Sequence, residues 1–228
     1  MGESRAVHPP KKRAGRGLFV TFEGIEGCGK TTQLRLARNW AVKRGEKVLA
    51  TRQPGGTRLG TLLRKVILGS SSRIDPATEL LLLFADRREN LTEQIEPALA
   101  AGMLVLCDRY TDASRAYQGA GRRLGEETVD ELHNRFCRRD PDRTYLFDLP
   151  VGLALARLSA RDGGSRDRIE REGLAFHRRV RAAYLRRAAR EPRRFRVIDA
   201  ARPRETVFED VRADLARLLA RRARRRAR

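Results

Sequence analysis

The chain has 228 residues, with 50 Lys or Arg against 29 Asp or Glu and a formal net charge of +21. That length fits one α/β domain with tails, enough to bury a core without metals or disulfides. Its longest apolar runs, Leu80 to Ala85 and Met103 to Cys107, are too short to span a membrane. No apolar signal core follows the N-terminal basic residues, and Cys28, Cys107 and Cys137 lack metal-ligand spacing, which points to a reducing, cytoplasmic setting.

Leu18 to Glu23 reads as a buried strand, followed by a glycine-rich turn and a helix from about Thr31 to Arg44. Gly45 ends that helix, and Lys47 to Thr51 makes a second strand. Arg58 to Leu68 is helical, closed by Gly69 and a Ser-rich turn. Pro76 opens a long helical stretch to Ala101 with a kink expected near Pro97. Met103 to Cys107 is the third strand, Glu127 to Arg138 an amphipathic helix, and Tyr145 to Asp148 the fourth strand. A helix from Val151 to about Ala160 leads into Arg161-Asp-Gly-Gly-Ser-Arg-Asp-Arg168, which breaks the periodicity and reads as an exposed, mobile loop. A helix from about Ile169 to Ala189, a strand from Arg196 to Ile198 and a last helix bearing Val207, Phe208, Val211, Leu215, Leu218 and Leu219 on one face complete the pattern. Alternating strands and helices predict a three-layer α/β fold, with a five-stranded parallel sheet flanked by helices.

The charge is concentrated at the ends. Residues 1–17 carry +4 and residues 221–228 carry +6, and Arg178 to Arg194 form a third, helical cluster. Terminal like-charge blocks are expected to be solvated tails, with nonspecific attraction to nucleic acid as the functional alternative. The folded domain is therefore expected over residues 18–220.

Gly24-Ile25-Glu26-Gly27-Cys28-Gly29-Lys30-Thr31 fits G-x-x-x-x-G-K-[ST] between a predicted strand and a predicted helix. Its glycines permit the positive dihedrals that turn successive N–H groups inward as an anion nest, and the following helix adds its positive end. Lys30 supplies charge to the β- and γ-phosphates of ATP, and the Thr31 hydroxyl can ligand Mg²⁺. Thr32 completes the nucleotide-binding run, and this loop makes the expected three-layer fold that of a P-loop NTPase. No N-K-x-D stretch is present to read a guanine base. The third strand ends Asp108-Arg109-Tyr110, with a cation beside the carboxylate, where a motor ATPase usually has a metal-holding acid alone.

Together with Thr51-Arg-Gln-Pro-Gly-Gly-Thr57, Ala116-Tyr-Gln-Gly119 and Asp167-Arg-Ile-Glu170, these motifs resemble the bacterial thymidylate kinase family over about Leu18 to Leu219. The resemblance implies γ-phosphoryl transfer from MgATP to dTMP by a cytoplasmic enzyme that is usually a homodimer. It implies that Arg52 grips the acceptor phosphate and that Glu26 accepts from the acceptor sugar's 3′-hydroxyl. By the same resemblance Arg87 reads the thymine edge, Ser114 bonds the pyrimidine, and Tyr117 packs where a ribose 2′-hydroxyl would clash, with Gln118 beside it. The family's stacking Phe should fall at Leu83, while Phe84 comes one position later, so either residue packs the base. Gln53 stands where bacterial relatives often have Glu, and is given no role.

Arg109 and Asp108 are the expected catalytic neighbours of Lys30, Asp108 orienting Mg²⁺ waters or the acceptor phosphate. The P-loop holds no arginine, so the remaining catalytic cation is expected from a lid over about 157–170, with Arg161 the first choice and Arg166 the second. Cys28 would put an oxidisable thiol beside the phosphates. Two other readings compete: another small-molecule P-loop kinase, and a basic nucleic-acid-binding protein.

Overall fold

The structure is a computed structural model describing residues 17–69, 73–162 and 167–226, with backbone alone at 161, 162, 225 and 226. Five strands, β1 (Leu18–Glu23), β2 (Val48–Arg52), β3 (Leu104–Asp108), β4 (Arg143–Asp148) and β5 (Phe195–Asp199), make one sheet in the order β2-β3-β1-β4-β5. Every pairing is parallel. Both central strands read as apolar runs because helices cover both faces. Alternation then sorts them. Val20, Phe22, Leu104 and Leu106 join one core, while Phe19, Val105 and Cys107 join the other.

Helix α1 (Lys30–Lys43) and the long α9 (Arg204–Arg226) cover the first face with α8 (Leu174–Arg190). The second face carries α3 (Pro76–Asn90), which continues through a wider π turn at Leu91–Ile95 into α4 (Glu96–Ala100). That turn precedes Pro97, the residue expected to disturb the helix, which has no N–H to donate. Helix α2 (Arg58–Leu68) packs beside α3. Its N-cap Thr57 accepts the Gly60 N–H at 2.9 Å.

The expected and observed strands agree to within two residues at each end, but two helical details differ. Residues after β3 form α5 (Thr111–Ser114), running into a π-helical stretch at Arg115–Gly121 that the periodicity does not signal. Thr111 to Gly119 are buried throughout, so no amphipathic stripe marks them. Helix α8 begins at Leu174 rather than near Ile169, because Asp167 Oδ1 accepts the N–H groups of Ile169 and Glu170, both at 2.9 Å, and closes a separate turn. The remaining helices are α6 (Glu126–Leu132), extended by a π turn to Cys137, and α7 (Val151–Asp162).

The tail expected over residues 1–17 lies outside the described residues except for Gly17, as do Gly163 to Arg166 of the lid. At the other end α9 runs through Arg226, so most of the expected basic tail is helix, and Arg222 pairs with Glu46. The third basic cluster is largely engaged. Arg181 pairs with Asp148 at 2.7 Å, Arg187 with Glu191 at 2.6 Å, and Arg194 with Asp112 at 2.5 Å.

Candidate active site

The loop between β1 and α1 turns on glycines at positive φ, 140° at Gly24, 75° at Gly27 and 91° at Gly29. A Cβ on Gly24 would stand 2.5 Å from the Phe147 carbonyl oxygen, and one on Gly27 equally close to that of Ala154. Strand β4 and helix α7 thus press the loop into shape from behind. Lys30 is buried and donates from Nζ to the Ile25 carbonyl at 2.9 Å, which holds the ammonium across the loop.

Glu26, Gly27, Gly29, Lys30, Thr31 and Thr32 line one end of a cavity of about 750 Å³. Gly24, Ile25 and Cys28 stand behind that wall, with Ile25 and Cys28 in the core, so only their backbone can serve an anion. Burial pushes the Cys28 thiol above its ordinary pKa. The thiol expected to be oxidisable beside the phosphates is instead buried, which opposes its oxidation.

Thr31 Oγ1 donates to Asp108 Oδ2 at 2.6 Å. This joins the start of α1 to the end of β3. Two hard oxygen donors at a phosphate-binding loop fit Mg²⁺, which takes few protein ligands and completes its shell with phosphates and water. Among the described residues no group of three or more His, Cys, Asp or Glu could hold a metal alone.

Arg109 leaves β3 with a left-handed φ of 70° and turns its side chain across the crevice. Its Nη2 donates to Glu26 Oε1 at 2.5 Å and to the Tyr117 hydroxyl at 3.2 Å, and Tyr117 in turn donates to Glu26 Oε2 at 2.5 Å. Burial alone would raise the Glu26 pKa, but Arg109, Lys30 and the Tyr117 hydrogen bond outweigh it and hold the carboxyl below its usual range. The loop carboxylate is therefore ionised and fixed beside the ring expected to test the sugar. Behind it, burial and the nearby Asp112 push the Glu23 carboxyl up to about 7.

The acceptor end is built by α3. On that helix and its continuation Asp86, Asn90 and Gln94 recur every fourth position, along one face. Asp86 accepts the Gly55 N–H at 2.9 Å, Asn90 donates to Thr51 Oγ1 at 3.0 Å, and Gln94 donates to the Gly56 carbonyl. The whole β2–α2 loop is thus moulded on one helix. Arg87, only 1% exposed, donates from Nε to Gln53 Oε1 at 2.9 Å and from Nη2 to Ser114 Oγ at 3.0 Å. Gln53, which the sequence left without a role, orients Arg87, and nothing in its spacing signals this.

Leu83 lines the cavity and Phe84 does not. One residue turns a helical side chain by about 100°, and that rotation sends Phe84 into the second core, its ring 4.5 Å from the Arg87 guanidinium. Arg52 lies exposed at the end of β2 and outside the cavity wall, where Arg64 stands instead. Arg64 donates to the Pro54 carbonyl at 3.0 Å. Burial and then the nearby Arg52 and Arg109 lower its pKa, so three guanidiniums share one small region. Arg64 lies on the same face of α2 as the buried Gly60 and Ile67, a spacing that could have drawn attention to it.

Ser114, Tyr117 and Gln118 also line the cavity. Gln118 donates at 2.6 Å to Glu79, a carboxylate fully buried in α3 that also receives Arg122 and Arg168. Arg168 is thereby committed to α3 and separated from the lid's candidate cations. Arg157 of α7 lines the cavity and donates to the Ala200 carbonyl at 2.9 Å. Arg161 stands one turn further along α7 with its side chain outside the description, and Arg166 lies outside the described residues altogether.

A glycine-rich phosphate loop at a helix N-terminus, opening into a cavity that the buried Arg87 and the half-buried Arg64 and Arg109 also line, defines a P-loop kinase for a small phosphorylated acceptor. The sequence model of the family described as thymidylate kinase matches residues 22–211. The chain belongs to that family. It is similar to the thymidylate kinase of Bordetella petrii, 48% identical over 204 residues that cover 89% of this chain and 97% of the relative. That of Geobacter sp. strain M21 is 50% identical over 191 residues, covering 81% and 85%. The crystal structure of thymidylate kinase from Ehrlichia chaffeensis superposes with a TM-score of 0.71 at 31% identity, covering 88% of this chain and 99% of that one.

Proposed function

We propose that this enzyme transfers the γ-phosphoryl group of ATP to dTMP, giving dTDP and ADP, with the binding roles assigned to described side chains and the lid cation to residues beyond them. The observation that carries the reading is the joint cavity, which the phosphate-loop Lys30, Arg109 at the end of β3 and Arg87 of α3 all line. Lys30 moves from the Ile25 carbonyl to the donor phosphates. Arg64, with Arg52 behind it, meets the acceptor phosphate, which relieves the crowding of their charges. Glu26 receives the sugar 3′-hydroxyl and Tyr117 excludes a 2′-hydroxyl. Arg87 and Ser114 face the pyrimidine edge over a floor that includes Leu83.

Mg²⁺, held through Thr31 with Asp108 orienting its waters, would neutralise charge on the donor phosphates. The lid cation that completes the equatorial charge is assigned to Arg161, with Arg166 second. Dimerisation finds support in an unpartnered apolar stripe on α2, where Leu59, Leu62 and Val66 are 43%, 55% and 51% exposed at helical spacing. No helix among the described residues is long and apolar enough to cross a membrane, in keeping with a cytoplasmic site of action.

An acceptor screen by ADP release tests the reading. dTMP should be phosphorylated well, the ribo-form of TMP much more slowly, and dGMP and AMP hardly at all. Preference for AMP or dGMP would move the enzyme to another nucleotide kinase class.

A further inference from the structure

Glu23 ends β1 directly before the phosphate loop and is fully buried. Both of its oxygens are used at the corner that carries Arg109. Oε1 accepts the Tyr110 N–H at 2.7 Å, and Oε2 accepts the Tyr184 hydroxyl at 2.8 Å. Tyr184 comes from α8, 161 residues along the chain from Glu23, and its hydroxyl oxygen accepts from Arg109 Nη1 at 3.4 Å. Three distant segments therefore meet at one hydroxyl.

We propose that Glu23 and Tyr184 form a relay that positions Arg109 for phosphoryl transfer. The inference rests on the dTMP kinase activity above and adds two positioning residues to it. Its first half concerns the backbone. Arg109 holds a φ of 70°, a conformation that is strained for a residue other than glycine. The Glu23 carboxylate captures the very next N–H with a charge-assisted bond, which stabilises the turn that points Arg109 into the crevice.

Its second half concerns a single proton. A tyrosine hydroxyl has one hydrogen to give. An ionised Glu23 can only accept, so it fixes that hydrogen on itself and leaves the Tyr184 lone pairs facing the Arg109 guanidinium. An amide at position 23 could donate to Tyr184 instead, freeing the hydroxyl hydrogen to turn toward the cation. Burying a carboxylate costs stability, and burial with Asp112 nearby pushes Glu23 up to about 7, so the ionised, accept-only form predominates above that pH. A residue serving packing alone would not need that charge.

The experiment is steady-state dTMP phosphorylation by the full-length parent, Glu23→Gln, Tyr184→Phe and the double variant. Each single change should lower kcat about tenfold and leave KM for dTMP and ATP within about twofold, because aim rather than binding is lost. The double variant should fall no more than about twofold below the slower single, since both changes cut one chain. Singles within about twofold of the parent kcat, or effects that multiply in the double, would overturn the relay. If Glu23→Gln does not fold, Tyr184→Phe decides by the same kcat criterion, as it removes only one oxygen. An active parent with unimpaired variants sinks the relay alone; a parent that phosphorylates no dTMP sinks the proposed activity and the relay together.

Discussion

Arg64 and Arg52 illustrate how far a motif can carry a single residue. The Thr51-to-Thr57 motif pointed to Arg52, yet Arg64, one turn into the buried face of α2, forms the cavity wall. Arg64→Ala should raise KM for dTMP about 10- to 100-fold, the loss of one charge-assisted contact. Arg52→Ala should do less, and the opposite ranking in a titration of both variants would return the phosphate contact to Arg52. Arg161→Ala should slow turnover by about 10³-fold or more if it is the lid's finger, with dTMP affinity almost unchanged. Near-normal turnover in a single-turnover assay would move that role to Arg166. Of the residues read from sequence, Glu26, Gly27, Gly29 to Thr32 and Arg109, set by local backbone pattern, line the cavity. Phe84 and Arg52 did not reach the cavity wall, because a step along a helix or past a strand end redirects a side chain without altering the pattern.

At the scale of elements, the turn after the lid is tied to the acceptor helix. Arg168 donates to the Ile67 carbonyl at 2.9 Å and pairs with Glu79, while Arg122 and Gln118 converge on the same carboxylate. This bridges α2, α3 and the π-helical stretch after α5. Arg168→Ala should leave Glu79 without one partner, cost about 1–3 kcal/mol, and speed amide exchange over residues 167–172. Unchanged exchange there by mass spectrometry would show that the tether is incidental. The tether was invisible in the sequence, since Asp167-Arg-Ile-Glu170 reads as the start of a helix until Asp167 is seen closing its own turn. The strands were legible because a doubly covered parallel sheet writes itself as short apolar runs. The buried helix after β3 was not, because burial on all sides erases the period that marks a helix.

For the molecule as a whole, charge and exposed apolar surface divide the work. The internal arginines of α8 are paired with Asp112, Asp130, Asp148 and Glu191, so they brace the fold. Any nucleic-acid attraction should therefore reside in residues 1–16 and the end of α9, and should vanish in a salt titration when both are removed. Binding to DNA that survives the deletion would revive the basic-protein reading. The stripe on α2 makes a separate demand. Leu62→Glu should convert a dimer to monomers in sedimentation velocity, by placing a charge at the centre of an apolar contact. A parent that sediments as a monomer would exclude the dimer directly.

Helix α3 supplies a final consequence. Because Asp86, Asn90 and Gln94 mould the β2–α2 loop while Arg87 and Leu83 line the cavity, the proposed base and phosphate pockets share one template. Altering acceptor choice by point changes in either pocket would misalign the other. Residues 51–64 and 79–94 should instead behave as one cassette, to be exchanged between relatives together, with either half alone giving a mismatched and poorly active hybrid.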